Sequence, residues 1–432
     1  MKKTFKVVAS LLLVLITSTF VFAQTSGTFQ GTAGTLRGDA DYFMDVRYFN
    51  EVDFSNFFSM INLSSTSANL GFAKEFDDVY IGAYYSGTLW NGFNSTKTVN
   101  DMTTNVTNNF TGNHQFDLLL GISGIAIKFD SIFNVDNENT KESDAETNDK
   151  EEEKENSSNY IFGLTFAGDS VPMEYGNVIP WGKIGFDLND NTEETIEVYD
   201  GTTNKYTDKS KNENKLLVTL AADFENGDRE SFFSVAGIKY TLETLIGANG
   251  VIVEETDGSE TSTMSRYDKL GVTNNFDLNY RFEYKASDNL KFGGRIGAEI
   301  DIYTSCAGDT YYDDDKPEST DKLPQTTETN ISSNLGLGMQ YKIKPNFAMN
   351  VGLGATLPKF ESTKNVIYAG DTTSTTVNSN VNTAFSSTLS AGFVWDINEN
   401  CALDAYMNIG RTPKFLSSIL DGSLTLGFKY KM

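Results

Sequence analysis

Residues 290–303 read LKFGGRIGAEIDIY and alternate strictly between two kinds of side chain. Every second position from Leu290 to Ile302 is apolar or small, whereas the positions between them carry Lys291, Arg295, Glu299 and Asp301. A period of two sends successive side chains to opposite faces of a β-strand. The segment therefore predicts a strand with one apolar face and one charged face.

The neighbouring segments repeat this pattern in hairpin order. Residues 272–285 alternate in the same way, and only Ala286 to Asn289 separates them from the segment at 290–303. So short a connection between two alternating runs is typical of a β-hairpin. Along the whole chain the pattern predicts about sixteen strands, with an uncertainty of about two either way because boundaries are the least reliable part of such assignments. The predicted strands lie near 40–49, 65–76, 79–89, 113–121, 125–134, 160–168, 179–188, 215–224, 231–242, 272–285, 290–303, 330–342, 347–357, 381–395, 401–410 and 420–432.

The connections between these strands alternate in length. Short turns such as 225–230 and 396–400 alternate with long polar connections such as 190–214, 243–271, 304–330 and 358–380. A transmembrane β-barrel has short turns on the periplasmic side and longer loops outside the cell. Lipid requires every backbone polar group to be paired within the protein, so spanning strands must form a sheet without a free edge. We therefore expect an all-β fold, a closed antiparallel transmembrane barrel of about sixteen strands (roughly 14 to 18).

The amino terminus predicts export. Lys2, Lys3 and Lys6 precede an apolar stretch that ends in Val21-Phe22-Ala23, which is typical of a cleaved signal peptide. We assign residues 1–23 to the signal peptide, 24–38 to a short periplasmic segment and 39–432 to the barrel. So short a segment before the barrel leaves no room for a plug domain.

Charge and hydropathy narrow the function classes. The chain of 432 residues has 34 Lys and Arg against 59 Asp and Glu, a net charge of −25. This balance argues against a nucleic-acid partner, since phosphate contacts need a cationic face. After the signal peptide no run of about 18 apolar residues occurs, which argues against transmembrane helices.

These features together resemble bacterial outer-membrane β-barrel proteins of the porin type. The resemblance rests on the signal peptide, the alternating connections and the terminal strand Leu424 to Met432, although Tyr430-Lys431-Met432 departs from the terminal Phe or Trp usual in that family. The composition, rich in Asn and Lys, resembles that of spirochaetes or other low-GC diderms. The resemblance implies an outer-membrane location, contact with outer-membrane lipid, insertion by the barrel-assembly machinery and passage of small polar solutes, and it leaves a monomer and a homo-trimer both open.

The charged face of the central hairpin supplies the predicted pore lining. Facing rows of opposite charge would create a transverse field, and the strong negative charge of the chain would give a mild cation preference. The alternative is that the same charges form salt bridges that only support the wall. The predicted pore-lining residues are Asp277, Arg281, Glu283, Arg295, Glu299 and Asp301, with Asp187, Asp223, Lys239 and Asp404 on other strands.

The segment 136–155 is strongly acidic and includes Asp144, Glu151, Glu152 and Glu153. A run of like charges is typical of a solvated, mobile loop. Exposed outside the cell, this loop could contact host surface molecules. The alternative function is therefore a surface-displayed barrel that acts as an adhesin or antigen.

Catalytic and metal chemistry have little support in the sequence. The only histidine, His114, lies near Asp117, but no Gly-x-Ser-x-Gly motif or second histidine accompanies it. We expect no enzymatic activity and no cofactor. One His and two distant cysteines, Cys306 and Cys401, cannot complete a tetrahedral metal site, and the acidic cluster at 309–315 lacks EF-hand spacing, so we expect no metal site.

Aromatic residues near the predicted strand ends have two interpretations. A girdle at the lipid interface is favoured over a sugar-binding track along the pore wall. The residues concerned are Tyr42, Phe43, Tyr84, Tyr85, Trp90, Trp181, Tyr240, Tyr303 and Trp395.

Overall fold

The described part of the chain is almost entirely β-strand. The computed structural model describes residues 32, 35–37, 45–48, 58–63, 67–77, 79–88, 93–99, 102–122, 124–144, 150–199, 202–211, 214–246, 250–257, 260–267, 271–305, 325–369, 372–382, 386–409 and 424–431. Among these residues, no helix is long and apolar enough to cross a membrane. The signal peptide predicted at 1–23 and the acidic cluster at 309–315 lie outside the described residues.

The described residues form 23 β-strands in one sheet. Their bounds in chain order are β1 Phe58–Leu63, β2 Ser67–Phe76, β3 Val79–Thr88, β4 Phe93–Val99, β5 Met102–Ile122, β6 Ile125–Asp144, β7 Lys150–Ala167, β8 Val171–Met173, β9 Gly176–Tyr199, β10 Thr202–Lys211, β11 Lys215–Gly227, β12 Phe232–Leu245, β13 Gly250–Asp257, β14 Glu260–Tyr267, β15 Gly271–Ser287, β16 Leu290–Ser305, β17 Gln325–Lys344, β18 Phe347–Thr356, β19 Lys359–Ala369, β20 Thr372–Asn382, β21 Ser386–Asp396, β22 Cys401–Ile409 and β23 Leu424–Lys431.

Sixteen of these described strands are hydrogen-bonded in a circuit that returns to its first member. β1 pairs with β2 through Ile61 and Leu70, and on its other side with β23 through Ile61 and Phe428. All neighbouring pairs are antiparallel, which confirms the predicted antiparallel all-β fold. The order around the circuit is β1, β2, β3, β5, β6, β7, β9, β11, β12, β15, β16, β17, β18, β21, β22 and β23.

Much of what the sequence analysis assigned to long loops is also strand. β9 is 24 residues long; its first half pairs with β11 and its second half with β10, which in turn pairs with β13. The connection predicted at 358–380 is the hairpin of β19 and β20. The acidic segment 136–155 differs from its prediction as a mobile loop, because Asp144 ends β6 and Glu151, Glu152 and Glu153 lie in β7, paired with β6.

The two faces of the circuit have opposite polarity. Leu220 and Leu337 are each 60% exposed, and large apolar side chains on most of the circuit strands behave in the same way. By contrast, the carboxylate residues Asp223 and Asp404 are only 3% and 2% exposed. The face that carries the buried polar residues is the inner face, against which the amino-terminal segment packs.

The amino-terminal segment, by which we mean the described residues 32, 35–37 and 45–48, differs from its prediction. Thr32, Thr35, Leu36, Val46 and Tyr48 are all buried. Residues 45–48 form a turn, so the strand predicted at 40–49 is wrong there, and the first described strand is β1. Within the predicted periplasmic segment at 24–38, the described residues Thr32, Thr35 and Leu36 lie against Gly293 and Gly338 of the sheet.

Candidate functional site

The start of the amino-terminal segment packs against two glycines on the inner face. Gly293 of β16 lies directly opposite Gly338 of β17. A Cβ atom at Gly293 would lie 2.8 Å from Cδ2 of Leu36, and one at Gly338 would lie 2.6 Å from the carbonyl oxygen of Thr32. Because real Cβ contacts are not this short, only glycine leaves room for the segment here.

Hydrogen bonds within the segment stabilise the turn that packs against Gly293 and Gly338. The backbone amide and the hydroxyl of Thr35 both donate to the carbonyl oxygen of Thr32, at 3.2 and 2.8 Å. The amide of Leu36 donates to the hydroxyl of Thr32 at 3.1 Å. Threonine hydroxyls that bond nearby backbone groups stabilise turns of this kind. The turn places the Leu36 side chain against Gly293.

Arg47 anchors the second half of the segment to the wall. Its Nη1 lies 2.5 Å from Oδ2 of Asp223 on β11, while its Nε and Nη2 donate to Asp45 at 2.7 and 2.6 Å. Arg37 donates to the same Asp45 carboxylate at 3.3 Å. The guanidinium carbons of Arg37 and Arg47 lie 5.5 and 5.2 Å from the ring centroid of Tyr48. Charge-assisted hydrogen bonds of this type are roughly twice as strong as neutral ones, so the segment is fixed by its charges as well as by packing.

Asp45 and Arg47 remain ionised over a wide pH range. Burial raises the pKa of Asp45, but the charge and hydrogen bonds of Arg47 and the charge of Arg37 outweigh burial, so its pKa lies well below the usual range. Burial likewise lowers the pKa of Arg47, and the charges of Asp45 and Asp223 more than offset this, leaving it above its usual value. Burial raises the pKa of the Tyr48 phenol.

Trp181 lies on the inner face and not in a lipid-facing girdle. The guanidinium carbon of Arg47 lies 5.3 Å from the Trp181 ring, which is within cation–π distance. Buried Ile179, two residues earlier on the same strand, packs with Tyr48. The girdle interpretation is therefore wrong for Trp181. Tyr42, Phe43 and Trp90 lie outside the described residues.

A polar row crosses five neighbouring strands beneath the amino-terminal segment. Register places Asp223 opposite Gly237, Gly237 opposite Asn279, Asn279 opposite Gly297, and Gly297 opposite Asn334. A Cβ at Gly237 would lie 2.6 Å from Nδ2 of Asn279, and one at Gly297 would lie 2.9 Å from Nδ2 of Asn334. The glycines thus let the polar side chains lie flat across the wall.

A cavity of about 330 Å³ lies between this row and the amino-terminal segment. Its volume falls near the lower end of the range typical of small-molecule sites. Six charged residues line it, namely Arg37, Arg47, Asp223, Asp277, Arg281 and Arg295.

Three of the six predicted pore-lining residues meet at this cavity, and the other three lie nearby on the same strands. Asp277, Arg281 and Arg295 line the cavity. Arg281 forms an ion pair with Glu283, and Asp277 accepts from Lys239 at 3.0 Å. Asn275 donates to Glu299 and to Asp301, at 2.6 Å in each case.

The predicted transverse arrangement of opposite charges is not found on this hairpin. Between β15 and β16 like charges face each other: Asp277 lies opposite Glu299, Arg281 opposite Arg295, and Lys285 opposite Lys291. Apart from Glu283, which pairs with Arg281, the charges on this face of the two strands are basic toward the short turn at Asp288–Asn289 and acidic toward the other end.

A second charged network lies on β5, β6 and β9 and was not among the predicted residues. Lys128 donates to Asp117 at 3.0 Å, and Lys183 donates to Asp130 at 2.5 Å. Asp117 and Asp130 lie directly opposite each other and are both buried. Alternation within predicted strands 113–121, 125–134 and 179–188 could have identified these positions, because each charge lies on the face opposite a row of large apolar side chains.

His114 does not form a site with Asp117. Its Nδ1 lies 2.9 Å from the hydroxyl of Tyr85, and the two rings stack. His114 and Asp117 are three positions apart on β5 and therefore point to opposite faces. Among the described residues, no group of three or more His, Cys, Asp or Glu could hold a metal ion. Cys401 is a free thiol, and Cys306 lies outside the described residues.

Similarity to known proteins is confined to solved structures at low sequence identity. Neither a family model nor a curated protein matches the chain. The toluene transporter TodX of Pseudomonas putida is 8% identical with a TM-score of 0.40, over 95% of this chain and 99% of TodX. CdiB from Acinetobacter baumannii is 9% identical with a TM-score of 0.39, over 87% of this chain and 60% of CdiB. The beta domain of the Bordetella autotransporter BrkA is 11% identical with a TM-score of 0.29, over 72% of this chain and 100% of that domain. Likeness at this level leaves function to be inferred from the residues themselves.

Proposed function

We propose that the chain is a closed transmembrane β-barrel of the outer membrane that passes small polar solutes through an interior narrowed by its own amino-terminal segment. The observation that carries this proposal is the reversed polarity of the circuit. Apolar side chains such as Leu118, Ile238 and Leu278 are more than half exposed, while Asp117 and Asp130 are buried. A sheet that turns its apolar rows outward and its charges inward suits lipid outside and water inside.

The strand circuit supports the same proposal through its backbone. Pairing of β1 with both β2 and β23 leaves neither terminal strand with an unpaired edge over the paired residues. Hydrocarbon offers no hydrogen-bond partners, so a sheet can cross it only without a free edge. A spanning strand needs about 9 to 11 tilted residues, and β2, β3 and β18 have 10 each.

The interior supports transport of polar solutes. A barrel of about sixteen strands is wide enough for an aqueous channel. Here the segment at 32–48 fills part of that width and leaves charged side chains around a cavity of about 330 Å³. We therefore propose a channel narrower than a general porin. The mild cation preference expected from total charge is not part of the proposal, because four arginines line the cavity.

Planar-bilayer recording tests the proposal. Purified, heat-modifiable protein should give stepwise openings, and conductance should rise when the amino-terminal segment is displaced. A silent membrane from correctly folded protein would contradict the channel. Solubility without detergent would contradict the barrel itself.

A second candidate function, surface display, is favoured by one further observation. β5, β6, β7 and β9 have 21, 20, 18 and 24 residues, about twice what a membrane crossing needs. Their outer parts continue as a paired sheet with β4, β10, β13 and β14. A barrel that carries so large a paired sheet could present it to partners. Bilayers that stay silent while intact cells are labelled on this sheet would favour display.

A further inference from the structure

Two arginines face each other on the inner wall without sharing a carboxylate. Arg281 of β15 lies directly opposite Arg295 of β16. Residues in such positions have Cβ atoms about 4.5–5.5 Å apart, and like charges there destabilise the sheet. Glu283 neutralises Arg281. In the part of the chain that the structure describes, no ion pair to Arg295 is found.

The charge of the surrounding cavity is not balanced either. The cavity is lined by Arg37, Arg47, Arg281 and Arg295 against Asp223 and Asp277. Asp45 forms ion pairs with Arg37 and Arg47, and Arg47 forms a second one with Asp223. Asp277 forms an ion pair with Lys239. When the nearby partners Asp45, Glu283 and Lys239 are included, five cations meet four carboxylates. The unmatched charge is Arg295, whose side chain is exposed to the cavity.

We propose that this cavity binds a small oxyanion, a carboxylate or a phosphate, with Arg295 as its main charged contact and Arg281 beside it. The guanidinium fork matches the oxygen pairs of carboxylate and phosphate and binds them in bidentate geometry. The amides of Asn279 and Asn334 also line the cavity and offer further donors. An anion between the two guanidinium groups would offset their repulsion.

The location gives this site a role in the proposed channel. Gly297 separates Asn279 from Asn334 in the polar row, so the floor of the cavity is flat and open to the anion. Its roof is the amino-terminal segment, through Arg37, Arg47 and Tyr48. The inference deepens the proposed function, because the site would hold anionic solutes at the narrow part of the interior. Anion binding requires the folded protein but does not require that the protein conduct ions.

Isothermal titration calorimetry on the full chain in detergent, in a buffer of low chloride, tests the proposal. Inorganic phosphate and acetate are titrated separately, which distinguishes the two oxyanion classes. We expect saturable binding of at least one of them. Arg295→Gln should weaken that binding at least tenfold. Arg295→Lys keeps the charge but loses the forked guanidinium, so its affinity should lie between those of Arg295→Gln and the unmodified protein.

Arg229→Gln is the matched control, because Arg229 lies in the short turn before β12, stacks on Phe233 and is not among the residues that line the cavity. Its affinity should stay within twofold of the unmodified protein. Heat-modifiable migration checks that each variant folds. Absence of saturable binding of both anions, an unchanged affinity in Arg295→Gln, or an equal loss in Arg229→Gln would overturn the site. A protein that binds phosphate or acetate yet leaves bilayers silent would contradict only the channel.

Discussion

Arg47 and Asp223 form an ion pair with 2.5 Å between Nη1 and Oδ2, joining positions 176 residues apart in the chain. Asp223 is almost fully buried, and its carboxylate is the wall's contact to the amino-terminal segment at this point. The contact links a turn near the amino terminus to the middle of β11. It is one of the contacts that hold the segment against the wall.

Arg47→Gln should therefore widen the channel. Removing one partner of a buried, hydrogen-bonded charge pair costs about 2 kcal/mol or more, which shifts the segment roughly 30-fold toward release. We expect a higher single-channel conductance in planar bilayers. Asp223→Asn added to Arg47→Gln should change little further, since the two residues act as a pair. Lys359→Gln, which breaks the exposed Lys359–Glu361 pair of β19, is the control, and an equal rise there would refute the explanation.

Gly338→Ala should displace the turn at Thr32–Leu36. The new Cβ would lie 2.6 Å from the Thr32 carbonyl oxygen and 2.7 Å from the Thr32 Cβ, so the segment's backbone must move. A cysteine at buried Thr35, with Cys306 and Cys401 replaced by serine, should react with a maleimide faster in this variant. Gly168→Ala is the control, because its nearest neighbour would be Cγ of Pro180 at 3.9 Å. Equal reactivity in the two variants would mean that the turn does not depend on the absence of a side chain at Gly338.

The segment should remain in place between pH 5 and pH 8. Asp45 has a pKa below its ordinary value of 3.8, so its stabilising charge is fully present above that value and is lost only as pH falls through the lower, folded pKa. Reactivity of the cysteine at Thr35 should be constant from pH 8 to pH 5. Asp45→Asn should raise it at every pH in this range. Increasing reactivity of the otherwise unmodified protein between pH 7 and pH 5 would contradict the assignment.

Asp130→Asn should destabilise the wall. The Asp130 carboxylate is buried and accepts from Lys183 at 2.5 Å and from Thr165 at 3.4 Å. Because the Lys183 side chain is about a third exposed, we expect a loss of about 1–3 kcal/mol in the free energy of unfolding. Glu361→Gln breaks the exposed Lys359–Glu361 pair and should cost less than about 1 kcal/mol. Urea unfolding in detergent compares the two, and equal losses would show that burial of Asp130 does not matter.

The two ends of the circuit should lie on opposite sides of the membrane. Glu153 lies in the outer part of β7, opposite Thr140, whereas Glu230 lies in the short turn before β12. In a cysteine-free background, a cysteine at Glu153 should react with an impermeant maleimide on intact cells. A cysteine at Glu230 should react only after the outer membrane is permeabilised. Equal labelling on intact cells would contradict the proposed orientation.

The sequence predicts strand positions to within about two residues where a strand has one apolar and one polar face. Residues 290–303 and 272–285 became β16, Leu290–Ser305, and β15, Gly271–Ser287, with the charged rows on the inner face as expected. A single polarity difference between two faces produces a strict period of two, which is readable without a structure. The side of the strand on which Asp277 and Arg295 lie was predictable for the same reason.

The errors have physical causes of two kinds. Met44, Val46 and Tyr48 stand at alternate positions in the sequence, yet residues 45–48 form a turn in which Val46 and Tyr48 are buried and Asp45 and Arg47 bond each other. The outer parts of β5 and β9 are polar on both faces, so no period of two distinguishes them from loops in the sequence. The cavity could not be predicted, since it depends on which strands are neighbours and on where residues 32–48 dock.

The axial sorting of charge on β15 and β16 has an electrical consequence. In the proposed channel an ion would meet Asp277, Glu299 and Asp301 from one end, but Arg281, Arg295 and the lysines at 285 and 291, offset only by Glu283, from the other. Fixed charge that changes sign along a pore sets different barriers for an ion that enters from either end. The proposed channel should thus behave as a rectifier, with a current–voltage curve that bends at zero.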